Sequence, residues 1–453
     1  MNRDLTQGKP GSVLWRFCLP LLGSVIFQQM YNIADSLVAG KFAGVDALAA
    51  VGNSYEITLI YLAFAFGCNM GCSVVVAQFF GARNYRDMKT AVYTTFISSA
   101  VICVTLMLFG FILGGNLLGL INTPEHLFSD SKLYLEIYTG GLLFLFFYNI
   151  ATGIFSALGD SKTPFIFLAI SSVANVIVDI IFVRNLKMGV AGVAWATFIC
   201  QGVSCIISVA VVMKRLRTFE HAGSYDKINV KVPFFSWDIF KKIIKIAIPS
   251  TLQQGFVSVG NIFIQSIING FGASVMAGYA AAIKLNNMII TTYTAMGNGM
   301  SNFAAQNLGA DRTGRIREGL KSGLKLIMLI TLFIVLVYMV FTNQLVSLFM
   351  DNSDENSVYA LKCGVQFLHI IVPFYFVISV KITCDGVLRG VGAMKQFMIS
   401  TFSDLVIRVG LAYALSVAAG VIGIWCAWPI GWVIGTGLSV MFYVILSKGF
   451  DRA

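Results

Sequence analysis

The side chains best suited to chemistry in this chain are a few oxygen donors set in apolar sequence. In FCLPLLGSVIFQQMYNIADSLVAGKF (residues 17–42), Asp35 follows Gln28, Gln29 and Asn32. The run is long enough to cross a bilayer, which takes about 20 residues of helix. A carboxylate at membrane depth costs on the order of 3 kcal/mol, so it either reaches interfacial water or faces a water-filled cavity. Two further groups favour the cavity. Asn175 and Asp179, in NVIVD, are spaced i, i+4 and share one helix face. Thr197, in GVAWATFICQ, adds a hydroxyl in the next apolar segment. Oxygen donors of this kind suit a hard cation. A close carboxylate pair also raises one pKa, so that one acid can carry a proton. The competing reading has Asn175 and Thr197 bonded to backbone, with Asp179 at the outer interface near Arg184.

The elements that must position these groups are membrane helices. The chain has 453 residues, 57% of them hydrophobic and 12% charged, with a mean hydropathy of +0.80. A soluble domain cannot hide that much apolar surface. The apolar blocks predict twelve spans, near 13–41, 50–81, 90–114, 130–157, 163–184, 188–213, 240–268, 278–310, 318–342, 356–389, 396–419 and 421–447.

A net charge of +11 is compatible with nucleic-acid binding until its distribution is read. With a cytoplasmic N-terminus, most of the 32 Lys and Arg fall in the tails and the loops on the inner side. The opposite loops hold Lys41, Lys132, Arg184, Lys187 and Lys362, while Lys284, Lys381 and Arg408 lie inside spans. This is the positive-inside pattern. It predicts a multi-pass plasma (inner) membrane protein with both termini cytoplasmic and no nucleic-acid partner. The nine cysteines sit in or beside apolar spans and form no disulfide framework. Cys68 and Cys72 share a face, but no histidine joins them. No cleavable leader pattern precedes the first span.

Two strings resemble each other. AQFFGARNYR, from Ala77, and AAQNLGADRTGR, from Ala304, align at Ala77-Gln78 with Ala305-Gln306 and at Gly81-Ala82 with Gly309-Ala310. Gly153-x5-Gly159 likewise matches Gly386-x5-Gly392. A duplicated six-helix unit follows. Its halves insert the same way up and are related by an axis along the membrane normal. The expected division is a bundle over 1–213, a cytoplasmic linker over 214–239 and a second bundle over 240–453. Pro20 and Pro249 interrupt the first span of each half, where a bend could gate a cleft or simply settle packing.

Taken together, QQMYNIAD, AQFFGAR, AAQNLGA, GIFSALGDSKTP and GVLRGVG resemble the multidrug and toxic compound extrusion (MATE) family of secondary transporters. The resemblance spans essentially the whole chain. It implies an all-α membrane protein of twelve transmembrane helices in two pseudo-symmetric six-helix bundles forming a V. It also implies export of amphipathic small molecules (drugs, toxic metabolites) by alternating access against inward H⁺ or Na⁺. Asp35 matches the family's acid in the first helix. NVIVD resembles its Asn-x-x-x-Asp motif in helix 5, and Thr197 has the spacing of the hydroxyl that completes the cation site. Asn149 lies near another polar position of that branch. The other branch places acids in helices 7 and 10. Here span 7 has none, and Asp385 in span 10 is one turn from Lys381, either as its ion-pair partner or as a cation ligand.

Two features stand outside these motifs. Glu56 and Lys284 are repeat-related charges, either latching a cleft or separately solvated. Arg408 aligns with Asn175 and, with Lys381 and Lys284, makes the second bundle's interior basic. That basic character keeps open a second reading, a flippase of the same superfamily for a lipid-linked or anionic substrate. An enzyme is not expected, because His126, His221 and His369 are scattered. Neither is a bound cofactor or ATP drive, because there is no P-loop. The expected partners are a small-molecule substrate, the coupling cation and membrane lipid, with the chain acting as a monomer.

Overall fold

The computed structural model describes residues 4–38, 41–42, 44–121, 123–222, 232–350 and 355–449, apart from some side chains within helices, Asp35 and Glu56 among them. Thirteen helices follow in order: α1 (Pro10–Val38), α2 (Val45–Gly81), α3 (Tyr85–Leu120), α4 (Glu125–Gly140), α5 (Leu142–Ala157), α6 (Lys162–Ile180), α7 (Gly189–Ala222), α8 (Trp237–Asn269), α9 (Ala273–Gly309), α10 (Thr313–Ser347), α11 (Glu355–Ile371), α12 (Tyr375–Gly390) and α13 (Met394–Ser447). Helix is what a membrane demands, since each backbone polar group must be satisfied within its own segment. Among the described residues, eight helices are long and apolar enough to span, and the α4–α5 pair, bent by 50°, makes a ninth. Helices α8 and α9, which carry several Gln, Asn and Gly, fall outside these nine. Gly420, at φ +60°, breaks α13 into two arms, and a short tight turn over Val372–Phe374 joins α11 to α12. Taking each bent pair as one rod and α13 as two, the rods number the twelve expected.

The chain divides into two compact units. The first comprises residues 1–4 and Leu19–Thr251; the second comprises Leu5–Cys18 and Leu252–Ala453. The boundaries between these units fall inside α1 and α8. Helix α7 runs on through Lys214, Arg215 and Arg217 to Ala222. In the first unit α2 packs on α3, α4 and α5, and α7 packs on α5 and α6; in the second, α9 packs on α10, α11 and α12, and α12 packs on α13.

The two units repeat each other in backbone detail. Gly44 (φ +100°) and Gly272 (φ +96°) precede α2 and α9, while Arg83 (φ +55°) and Asp311 (φ +56°) follow them. Each of these pairs fits the register read from AQ and GA in the sequence. Gly159 (φ +74°) and Gly392 (φ +78°) turn the chain after α5 and α12. A left-handed conformation favours glycine, which has no Cβ to clash. Helices α1 and α8 run without a break through Pro20 and Pro249.

Candidate functional site

In the first unit, α6 carries Asn175 and Asp179 on its inner face at 3% and 0% exposure. Ile170, Val173 and Ile177 on its other face are exposed, as expected for a helix with one polar, interior stripe. Neither the amide nitrogen nor the oxygen of Asn175 has a hydrogen-bond partner among the described residues. The Cys200 thiol of α7 lies beside it and within electrostatic reach of Asp179. Thr197 is half-buried one turn before Cys200 on α7. Immediately after Asp179, a wider turn over Ile181–Asn185 interrupts the helix, and Arg184 turns its guanidinium over the Phe42 ring at 5.5 Å.

Asn149 on α5 is half-buried. Its Nδ2 donates to the Leu145 carbonyl at 2.8 Å, and its own carbonyl accepts from Asn69 Nδ2 of α2 at 2.7 Å. Asn149 is thus tied to backbone and to α2. Asp35 lies on the last turn of α1; its side chain, like that of Glu56 on α2, lies outside the described residues. Lys284 on α9 is exposed, and its ammonium sits 5.8 Å from the Phe349 ring centroid.

The second unit holds a denser polar cluster where α12 meets α13. Lys381 Nζ donates to Asp385 Oδ2 at 2.8 Å and lies 4.0 Å from Asp404 Oδ2. The other Asp385 oxygen accepts from Ser439 at 2.6 Å and from Ser400 at 3.2 Å. Its carboxylate is therefore held by an ammonium and two hydroxyls. Arg389 donates to Asn298 Oδ1 at 2.9 Å. Arg408 stacks over Trp428, its Cζ 4.3 Å from the ring centroid. Among the described residues, no group of three or more His, Cys, Asp and Glu is arranged as a metal site.

The first unit thus offers a buried acid one turn from a buried amide, with the Cys200 thiol beside them. A carboxyl buried beside an amide is a group whose protonation or cation loading depends strongly on its surroundings. The second unit offers an internally paired acid. Sequence reading missed Asp404, Ser400, Ser439, Trp428, Asn69 and Cys200. Only Asp404 carried a signal, its i, i+4 spacing to Arg408; the others are drawn in by packing.

Comparison with known proteins gives one consistent family. The model of the MatE family matches residues 20–181 and 249–414, once in each half. A probable multidrug resistance protein of Bacillus subtilis (strain 168), YpnP, is 29% identical over 441 residues, covering 97% of this chain and 94% of that one. A second, YoeA, of the same organism is 26% identical over 455 residues, covering 98% and 96%. Among solved structures, an outward-facing multidrug resistance MATE family transporter of the MOP superfamily superposes with TM-score 0.90 at 21% identity, covering 100% of this chain and 99% of that one. Two matched halves, a shared helical architecture and relatives that align end to end converge: the chain belongs to the MatE family of multi-pass membrane transporters, a family of multidrug efflux proteins.

Proposed function

We propose that the protein is a secondary active antiporter, exporting amphipathic small molecules in exchange for inward H⁺ or Na⁺ by alternating access. The observation that carries this reading is the fully buried Asn175–Asp179 pair on α6. A carboxylate held in a low-dielectric interior strongly favours a neutralising partner, so loading with a proton or cation changes its preferred surroundings. In this reading Asp35 and Asp179 take up the ion, with Asn175 and Thr197 as neutral partners. Neutralisation then shifts α1, with bending near Pro20, and releases substrate outward. The ion drives the cycle only through its different affinity for the two states. The chain works as a monomer in the plasma membrane with both termini cytoplasmic, its bundles spanning 1–213 and 240–453. Glu56 and Lys284 act at the gate.

The test uses purified protein in liposomes loaded with a fluorescent organic cation. Efflux is followed under an imposed pH or Na⁺ gradient for wild type, Asp35→Asn and Asp179→Asn. Gradient-driven efflux should fall at least about tenfold in both variants, a charge-assisted contact being worth roughly 1.5–3 kcal/mol, and the effective gradient identifies the ion. Unchanged efflux in both would remove the first unit from coupling.

A further inference from the structure

Among the described residues, the α12–α13 cluster in the interior of the second unit holds three buried cations and two buried carboxylates. Lys381, Arg389 and Arg408 are buried there with Asp385 and Asp404. Asp385 is taken by Lys381, Ser400 and Ser439. Arg389 rests on Asn298 and over the Phe397 ring at 5.5 Å, although its Nε has no acceptor among the described residues. Arg408 is left. It is 6% exposed, and its Nε has no acceptor among the described residues. Asp404, one turn earlier on α13, does not take it. One Asp404 oxygen lies 4.0 Å from Lys381, and the other has no donor among the described residues.

A guanidinium has five N–H donors in a planar fork and does not deprotonate in proteins, so it cannot escape burial by neutralising itself. Trp428 offsets part of that cost through its ring face. It supplies no hydrogen-bond acceptor.

The surroundings add donors and flat surfaces. The indole N–H groups of Trp425 and Trp428 also lack an acceptor among the described residues. Tyr279 stacks on Trp425 at 5.5 Å with an 8° interplanar angle. Phe367 touches Trp425 and Trp428 at centroid distances of 4.9 and 5.7 Å. Opposite, Gly431 and Gly435 press backbone against the cluster. A Cβ on Gly431 would come within 2.9 Å of Asp404 Oδ1 and 3.0 Å of Arg408 Cβ, and one on Gly435 within 2.8 Å of Lys381 Cε. Excess planar donors, missing acceptors and aromatic walls together form the recognition chemistry of an oxyanion carried on a flat apolar body.

We propose that Arg408 and Trp428 bind the carboxylate or phosphate group of an aromatic small molecule inside the second unit. Calling that molecule a transported substrate rests on the exporter reading; its binding does not. The chemistry is shared by a soluble aromatic anion and an anionic lipid headgroup, and the assay separates them.

Full-length protein in neutral detergent is titrated calorimetrically, without any gradient, with 1-naphthoate and 1-naphthyl phosphate. Wild type should bind both saturably. Arg408→Gln and Arg408→Lys should each weaken binding about tenfold or more, because lysine keeps the charge but loses the fork. Trp428→Phe, which keeps a ring but loses the N–H, should weaken it severalfold. In nanodiscs, phosphatidylglycerol should compete with naphthyl phosphate relative to phosphatidylcholine if the lipid headgroup is the natural source, and should not if the source is soluble. Should Arg408→Gln fail to fold, Arg408→Lys and Trp428→Phe decide. The proposal is overturned if wild type binds neither anion, or if folded Arg408 variants bind like wild type. Because no transport is measured, its failure is distinct from loss of coupling in Asp179→Asn.

Discussion

Asp160, in the turn between α5 and α6, shows how one carboxylate organises a helix start. Oδ1 accepts from the backbone N–H groups of Lys162 and Thr163, each at 3.1 Å, and Oδ2 accepts from the Thr163 hydroxyl at 2.6 Å. Arg215 reaches from α7 to the same carboxylate at 2.5 Å. Burial opposes ionisation, but the hydrogen bonds from Thr163 and the contact with Arg215 outweigh it and hold the Asp160 carboxyl below its ordinary value. A carboxyl depressed in the folded state contributes stability that is fully present above its unfolded pKa of about 3.9 and lost as pH falls through the folded value. Asp160→Asn should therefore lower thermal stability at pH 7 by about 1–3 kcal/mol. The difference from wild type should close as pH falls through the depressed folded value, as followed by intrinsic-fluorescence melting in detergent. GDSKTP made the turn legible in sequence. Arg215, far along the chain, did not declare itself because its role depends on α7 continuing past the expected membrane boundary.

At the scale of elements, each unit is built on a close helix pair made possible by a repeat-related glycine. A Cβ on Gly386 of α12 would collide with the Gly297 carbonyl of α9, and one on Gly278 of α9 with the Ala360 carbonyl of α11. In the first unit a Cβ on Gly153 of α5 would come within 2.8 Å of Asn69 Oδ1 of α2. Small residues let membrane helices approach until dispersion and backbone contacts hold them together. Gly386→Ala should thus force α9 and α12 apart at a cost of about 1–3 kcal/mol or more. Gly410→Ala, with nothing within 4 Å of its Cβ, should not. Thermal midpoints of the two variants in one detergent check this. The Gly153/Gly386 match was readable as a repeat, whereas the reason for it, one backbone lying on another, required the packed helices.

Across the whole molecule, residues 5–9, just ahead of α1, belong to the second unit. The Leu5 N–H donates to Gln306 Oε1 at 2.9 Å, and the Thr6 carbonyl accepts from Arg312 at 2.7 Å. Arg315 donates to the Gly8 carbonyl at 2.8 Å, to the Leu5 carbonyl at 3.4 Å and to Asn307 Oδ1 at 3.0 Å. Arg312 and Arg315, counted in the sequence only as part of the positive-inside pattern, thus also fasten a distant segment. Charge-assisted bonds of this kind are worth about 1.5–3 kcal/mol each. Arg315→Ala should therefore raise the rate of limited proteolysis within the first nine residues at least about tenfold, with the helical core uncut. Equal cleavage rates in variant and wild type would show that the strap is held by Leu5 burial alone.

Hydropathy, the distribution of basic residues and the internal repeat were enough to specify an all-helical membrane protein of twelve rods in two related halves. These are local or periodic properties, written wherever a span or turn occurs. The buried pair on α6 was legible for the same reason, because i, i+4 spacing alone puts two side chains on one face. Tertiary structure decided what meets across helices. It closed Asp385 with Lys381 and two serines, turned Arg408 away from Asp404 onto Trp428, and assigned the start of α1 to the second unit. Such pairings join residues far apart in the chain, and they depend on close packing and unmet hydrogen bonds that no short stretch of sequence contains.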